Sequence, residues 1–152
     1  MRLRSSVLQV AARALEQRLN ADTSDHAGPQ QPCPCGQTAR YVDRRAKTFL
    51  SALGELTLQR AYYHCAACQK GFCPRDRALG IDSDSVSPAT LRMIGSVAAE
   101  VSFEIASGLL GDLAGLPIDA KQVERIAERL GGEMADHERR SEERRVGKEC
   151  RL

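Results

Sequence analysis

The sequence predicts a small α+β fold, in which an N-terminal helix precedes a short β-ribbon and an all-helical segment. Two cysteine pairs, Cys33-x-Cys35 and Cys65-x-x-Cys68, lie about thirty residues apart and mark the two ends of the ribbon. The stretch between them is rich in strand-forming residues. On both sides of it, apolar residues recur every three or four positions, as they do on the buried face of a helix. A chain of 152 residues suits one ordinary domain or two small ones.

Residues 1–19 are predicted to form an amphipathic helix, because their apolar side chains fall on one helical face. Those side chains are Leu3, Val7, Leu8, Ala11, Leu15 and Leu19. Residues 20–32 are rich in Asp, Ser, Gln, Gly and Pro, a composition typical of a linker.

The ribbon is predicted over residues 33–77, as a β-hairpin within three short strands. The strands are expected at Thr38–Asp43, Lys47–Leu53 and Leu56–Tyr63. Gly54-Glu55 is typical of the tight turn between the second and third of them. The last strand then leads directly into the second cysteine pair.

The two cysteine pairs predict a tetrahedral four-cysteine zinc site, so that the module is a zinc ribbon. Thiolates in such pairs occupy adjacent corners of a metal ion, and two pairs complete the four-ligand shell of a structural Zn²⁺. The predicted ligands are Cys33, Cys35, Cys65 and Cys68. A redox dithiol is the competing interpretation, but such motifs usually open a helix within a βαβ unit, and this sequence shows none.

One feature of the site leaves an alternative open. The first pair has a single intervening residue where a ribbon usually has two, and Cys73 is a fifth thiol nearby. A quartet of Cys35, Cys65, Cys68 and Cys73 is therefore a second hypothesis, with His64 as an outside candidate ligand.

A helical segment with a helix-turn-helix pattern is predicted over residues 84–136. Ser87-Pro88 favours a helix start, and apolar residues from Leu91 to Ile105 mark a buried face. A second helix is expected from Ser102 to Gly115. Asp119 is expected to cap a third that stops at Gly131-Gly132. Two helices joined by a short turn form the pattern that many proteins use to bind DNA.

Residues 138–152 differ from the rest of the chain. They have almost no apolar content or periodicity and resemble translated adaptor sequence found at the ends of unrelated proteins. We expect this tail to be non-native or disordered, and its Cys150 to take no part in the fold.

The charge distribution favours a polyanionic partner. The net charge is only +2, but residues 33–77 carry eight basic against three acidic side chains. No apolar run approaches the roughly 20 residues that a membrane span needs, and the first residues do not resemble a secretion signal. A cytoplasmic location is therefore expected, where metal binding explains the cysteines better than disulfides do.

Catalysis by this chain is not expected. Its acidic residues form no recognisable catalytic set, and a two-metal carboxylate site would need a larger sheet than the sequence predicts. The run Gly108-Leu-Leu-Gly111 lacks the strand and the lysine of a phosphate-binding loop.

Several short runs between about residues 30 and 135 point to one family. They include Cys33-Pro-Cys-Gly, Arg60-Ala-Tyr-Tyr-His-Cys, Phe72-Cys-Pro-Arg-Asp76, Val101-Ser-Phe-Glu104, Ala114-Gly-Leu-Pro117 and Lys121-Gln-Val-Glu124. Together they resemble the N-terminal region of bacterial ISKra-type insertion-sequence transposases. The resemblance implies a zinc module and a helical DNA-binding segment. It also implies an RNase H-like catalytic domain, which this chain is expected to lack.

The predicted function is therefore zinc-stabilised binding of double-stranded DNA at transposon ends, by a truncated transposase that does not cut or join DNA. The predicted DNA contacts are Arg40, Arg44, Arg45, Arg60, Arg75, Lys121, Gln122, Arg125 and Arg129. Self-association is a further partner hypothesis. The alternative function is a zinc-ribbon module that binds proteins or regulates them.

Overall fold

The computed structural model describes residues 2–83 and 85–149, and the side chains within 3–83 and 85–143. The chain divides between Thr90 and Leu91 into two compact units. The α+β class predicted from the sequence is confirmed: a helix, a four-stranded antiparallel sheet and further helices follow in that order. Within the described ranges, no helix is both long enough and apolar enough to span a lipid bilayer.

The sheet consists of a long central ribbon with a short strand on each side. Helix α1 (Arg2–Ala21) precedes it. The strands are β1 (Gln30–Pro32), β2 (Thr38–Ser51), β3 (Gly54–Cys65) and β4 (Lys70–Phe72), in the order β1-β2-β3-β4. The first two predicted strands are thus one strand, β1 falls in the predicted linker, and β4 lies beyond the three predicted strands.

The turn between β2 and β3 lies two residues before its predicted place at Gly54-Glu55. Ser51 pairs with Gly54 across the hairpin, so Ala52 and Leu53 form the loop. Gly54 is the first residue of β3, and its φ of 118° is one that only glycine adopts without strain. The Ser51 hydroxyl fixes this turn by donating to the Gly54 carbonyl and accepting from the Leu53 N–H.

A β-bulge at Val42 distributes the apolar residues over both faces of the ribbon. Tyr41 pairs with Tyr63 but Asp43 pairs with Tyr62, so β2 carries one extra residue at this point. Because side chains alternate along a strand, the extra residue moves all those beyond it to the opposite face. The bulge lies within the first predicted strand, and residues 44–46, between the first two predicted strands, also belong to β2.

Each face of the ribbon carries its own core. The hairpin core comprises Ala12, Phe49, Leu56, Leu58 and Ile81, with Leu15, Leu19, Leu53 and Leu79 beside it. The cysteine core comprises Cys33, Ala39, Ala61, Tyr63 and Cys65, with Tyr41, Cys68 and Phe72 beside it. Even-numbered β3 residues face the first core and odd-numbered residues face the second. The ribbon therefore packs against different partners at its two ends.

Side chains from α1 satisfy the backbone of β3 where no strand pairs with it. The Thr57 N–H donates to Glu16 Oε2 at 2.6 Å, and the Gln59 N–H donates to Asn20 Oδ1 at 2.7 Å. Asn20 Nδ2 in turn donates to the Thr57 carbonyl at 2.9 Å. Unpaired strand edges are prone to pair with other chains, and these contacts close this one.

We expect Asn20→Leu to destabilise the first unit by about 1–3 kcal/mol, because it leaves a donor and an acceptor of β3 without partners. Urea unfolding followed by tyrosine fluorescence measures this change, since all three tyrosines lie at positions 41–63. Gln17→Leu is the matched control, since Gln17 is exposed on the same helix. Equal stability of the two variants would contradict the proposed closure of the edge.

Helix α2 (Pro74–Leu79) follows β4 and brings two charged side chains into the interior. Asp76 forms ion pairs with Arg60 and, at 3.8 Å, with Lys47. Arg75 donates to the Leu19 carbonyl at 2.9 Å. These contacts tie α2 to the ribbon and to α1. Pro74 at its start and Gly80, which ends it with φ of 65°, are local signals for this helix, which sequence reasoning missed.

The remaining helices are α3 (Pro88–Ala98), α4 (Phe103–Leu109) and α5 (Ala120–Glu149), with a π-helical turn at Leu110–Ala114 after α4. The predicted starts are confirmed. The Thr90 N–H donates to Ser87 Oγ at 3.4 Å, the Ile105 N–H to Ser102 Oγ at 3.5 Å, and the Gln122 N–H to Asp119 Oδ1 at 2.8 Å. Gly115 ends the second helical stretch with φ of 70°.

Two predictions for this segment are wrong. Ile105 is 55% exposed, because the chain changes direction before Ser102 and the buried face of α3 ends there. Helix α5 does not stop at Gly131-Gly132, since neither glycine adopts the positive φ of a helix end. Good helix formers on both sides carry the helix through the pair and on to Glu149. Asp84, which begins the predicted segment, and Cys150 lie outside the described residues.

Candidate metal centre

Two tight turns at one end of the sheet bring the four predicted cysteines together. Cys33 and Cys35 lie in the turn between β1 and β2, where the Cys33 N–H donates to the Gln37 carbonyl at 2.7 Å. Cys65 ends β3, and Cys68 follows in the turn to β4, where Gln69 adopts a φ of 56°. Because both turns lie at the end of the ribbon away from Ala52-Leu53, the two pairs face each other.

The distances within this group fit a tetrahedral metal site. All four Sγ atoms lie within 4.8 Å of one another. Cys33 Sγ is 3.6 Å from Cys68 Sγ, and Cys35 Sγ is 3.7 Å from Cys65 Sγ. Thiolates about 2.3 Å from a Zn²⁺ at tetrahedral corners lie about 3.8 Å apart. No described cysteine forms a disulfide. The group can therefore hold a metal ion with little rearrangement.

Backbone N–H groups are directed at two of the sulfurs. The Cys68 N–H is the main influence that lowers the pKa of Cys65 to about 7, and the Ala67 N–H adds to it. The Cys35 N–H lowers the pKa of Cys33, but burial and the three neighbouring thiols outweigh it and raise that pKa to about 12. Such N–H donors stabilise the thiolate form that a metal ion binds.

The shortened first pair still completes the site. Gly36 adopts a φ of 83° and its N–H donates to the Cys33 carbonyl at 2.9 Å, which folds Cys35 back towards Cys33. Cys73 precedes α2, and its Sγ is not among the four that lie within 4.8 Å of one another. His64 is also outside it, on the β3 face opposite to Cys65. The geometry therefore favours Cys33 over Cys73 as the fourth ligand.

Aromatic side chains line the cysteine core beside the site. Tyr63 is fully buried, stacks on Phe72 with ring centroids 5.9 Å apart, and donates from its hydroxyl to the Gly28 carbonyl at 3.0 Å. Tyr41 packs edge-on against Tyr63, and His26 packs against Tyr41. The alternation of Ala61, Tyr63 and Cys65 along β3 is the sequence signal from which this wall could have been found.

Three of the predicted phosphate contacts are engaged within the protein. Arg60 is 8% exposed and pairs with Asp76, while Arg75 is 6% exposed and pairs with Asp22 at 2.8 Å. Arg44 pairs at 3.2 Å with the buried carboxylate of Asp25, which also accepts the Ala61 N–H. We therefore do not include these arginines in a binding surface. No local signal marks Asp25 in the sequence, because its partners lie 19 and 36 residues away.

Two other ribbon arginines are exposed on one face, which we call the basic face and define by Arg40, Arg45, Tyr62 and His64. Arg45 lies over the Tyr62 ring, 3.5 Å from its centroid, and pairs with Asp43 at 3.0 Å. Arg40 pairs with His64 in the β2–β3 register. The basic face lies behind the cysteine core, near the metal-binding end.

The α5 candidates lie at the start of that helix. Lys121 and Arg125 are exposed and, at 3.6 residues per turn, point away from the buried Val123. Gln122 also caps the helix, since its Oε1 accepts from the Asp119 N–H at 3.3 Å. Arg129 pairs with Glu133 at 3.4 Å.

Neither the protein-family models nor the curated proteins that were compared with this chain gave a match.

Proposed function

We propose that this chain binds double-stranded DNA as the zinc-stabilised N-terminal part of an insertion-sequence transposase, with transposon ends as its target. The observation that carries the proposal is the exposed position of Lys121 and Arg125 on the first turns of α5, the second helix of a helix-turn-helix-like pair. In such pairs the N-terminal residues of the second helix reach base edges in the major groove. The proposed role is binding without catalysis.

The helix pair has the local features that this role requires. Helix α4 and its π-helical turn lead through residues 115–119 into α5, and the Ser107 hydroxyl donates to the Ile118 carbonyl at 2.7 Å. The reciprocal hydrogen bonds of Asp119 and Gln122 form a capping box that fixes the first turn of α5. A fixed first turn holds Lys121 and Arg125 in a defined orientation.

The acidic residues of α5 do not lie among these cations. Glu124 and Glu128 fall on one flank of the helix, about 80° and about 40° from the mid-line between Lys121 and Arg125 at 3.6 residues per turn. A DNA backbone contacting Arg125 and the flank beyond it avoids Glu124 and leaves Glu128 at the edge of the contact. The basic face of the ribbon provides Arg40 and Arg45 as a separate set of phosphate contacts, and Zn²⁺ would support that face by holding β2 and β3 together.

We expect Lys121→Ala/Arg125→Ala to weaken binding to all DNA duplexes and to reduce the slope of log K against log salt by about 2, if both side chains contact phosphates. Fluorescence anisotropy of labelled duplexes between about 50 and 200 mM salt, a range over which phosphate contacts dominate affinity, measures this. Arg92→Ala is the matched control, since Arg92 is exposed on α3.

If the double variant changes only the preference among DNA sequences and keeps the wild-type slope of log K against log salt, Arg125 would instead be assigned to base recognition. Equal binding by wild type, the double variant and the control would contradict the α5 surface. Binding that does not respond to salt would contradict DNA binding itself, and would favour a protein-binding zinc module.

A further inference from the structure

Helix α1 carries two apolar stripes, and the fold uses one of them. Leu8, Ala12, Leu15 and Leu19 form the stripe that faces the sheet, where Ala12, Leu15 and Leu19 join the hairpin core. Leu3, Val7, Val10 and Ala14 form a second, outward stripe about 140° away at 3.6 residues per turn. Leu3, Val7 and Val10 are 84%, 61% and 68% exposed. The outward stripe makes no contribution to the described core.

The spacing of the outward stripe is that of a coiled-coil seam. Its residues follow one another at intervals of four, three and four, which is the a/d pattern of a heptad repeat. The stripe is narrow, spanning about 60° at 3.6 residues per turn, and contains no aromatic residue. Helices that lie in a membrane surface instead have a broad apolar face, commonly with Trp or Phe. These features favour a second helix as the occupant.

The charged side chains beside the outward stripe indicate which kind of helix would bind to it. Arg13 and Arg18 occupy the g and e positions beside the seam, on its two sides, and both are exposed. A parallel pair of α1 helices would place Arg13 of one copy against Arg18 of the other, and an antiparallel pair would place Arg18 against Arg4. Like charges at these positions oppose pairing, whereas acidic side chains stabilise it.

We propose that the outward stripe of α1 is a docking surface for an acidic amphipathic helix of a partner protein. The partner helix would cover Leu3, Val7, Val10 and Ala14 with its own apolar seam and place carboxylates beside Arg13 and Arg18. This surface is separate from the residues proposed to bind DNA, so either function can be present without the other.

A three-heptad peptide with Leu at the a and d positions and Glu at e and g serves as the probe, and the same peptide with Lys at e and g as its counterpart. Isothermal titration of the full zinc-loaded chain should show binding of the Glu peptide and at least about tenfold weaker binding of the Lys peptide. Val7→Ser/Val10→Ser should weaken Glu-peptide binding at least about tenfold, since two buried valines are lost. Val42→Ser, which changes an exposed valine on β2, should not.

Charge reversal tests the assignment independently of apolar burial. Arg13→Glu/Arg18→Glu should invert the preference, so that the Lys peptide binds more tightly than the Glu peptide. Zinc content and tyrosine fluorescence verify that each variant keeps its ribbon. Three results would overturn the proposal: no binding of either peptide, concentration-dependent dimerisation that the valine variant abolishes, or binding of phosphatidylserine vesicles that the valine variant abolishes while peptide binding is absent.

Discussion

Removal of zinc is expected to unfold the ribbon, and Cys35→Ser or Cys65→Ser is expected to have the same effect under conditions in which the wild-type chain is folded. The module over residues 30–72 has a small core, and a structural metal ion would supply the stability that such a core lacks. Elemental analysis should find roughly one Zn²⁺ per wild-type chain and little in either variant. Tyrosine fluorescence should report the accompanying loss of the buried Tyr63 environment.

Cys73→Ser is the matched control for this prediction. It removes a half-buried thiol at the start of α2 without touching the four-sulfur group, so zinc content and the tyrosine signal should stay at wild-type values. Zinc binding should weaken as the pH falls, because protons compete with the metal ion for the thiolates. Loss of zinc in Cys73→Ser, with retention in Cys33→Ser, would assign the fourth ligand to Cys73. Unchanged folding after complete chelation would rule out a structural metal.

The second large effect is expected at the buried ion pair of Arg60 and Asp76. Arg60→Ala leaves the Asp76 carboxylate in the interior with Lys47 as its remaining cation, 3.8 Å away. Asp76 Oδ1 already accepts no hydrogen bond from the described residues. Removal of one member of a buried pair costs about 3–5 kcal/mol, so we expect a loss of that size in urea unfolding of the zinc-loaded protein.

Two further variants test whether the lost stability comes from the buried ion pair itself. Arg77→Ala removes an exposed cation from the same helix as Asp76 and should change the free energy of unfolding by less than about 0.5 kcal/mol. Arg60→Met/Asp76→Leu removes both charges and should recover most of the stability lost in Arg60→Ala, since no carboxylate is left in the interior and Lys47 keeps its hydrogen bond to the Ile81 carbonyl. A loss below about 1 kcal/mol in Arg60→Ala would mean that the pair behaves as a solvated surface pair.

The parts of the fold that depend on neighbouring residues could be predicted from the sequence. The cysteine pairs are local motifs, and their convergence requires only that β2 and β3 form one hairpin. The starts of α3, α4 and α5 are predictable because Ser87, Ser102 and Asp119 cap their own next turn. In each case the responsible atoms are within a few residues of each other.

The parts that depend on distant residues could not be predicted. Arg60 and Arg75 belong to a basic stretch of sequence that is typical of a phosphate-binding surface. Only their ion pairs with Asp76 and Asp22 show that both side chains are buried within the protein. Asn20 lies in the predicted linker. Its amide nevertheless forms hydrogen bonds with the backbone of Thr57 and Gln59, 37 and 39 residues further along the chain, where a neighbouring strand would otherwise pair. The predicted end of α5 is too early because a glycine pair is a local stop signal, which the surrounding helix formers override.

The extra residue in β2 makes the length of that strand as important as its composition. Shortening β2 by one position near Val42 would rotate either Ala39 and Tyr41 or Phe49 away from the partners they now touch, although every remaining amino acid would be unchanged. A substitution at an exposed position such as Val42 can be absorbed, but a lost codon there cannot. Natural variants of this ribbon should therefore tolerate many exchanges at position 42 and very few gaps.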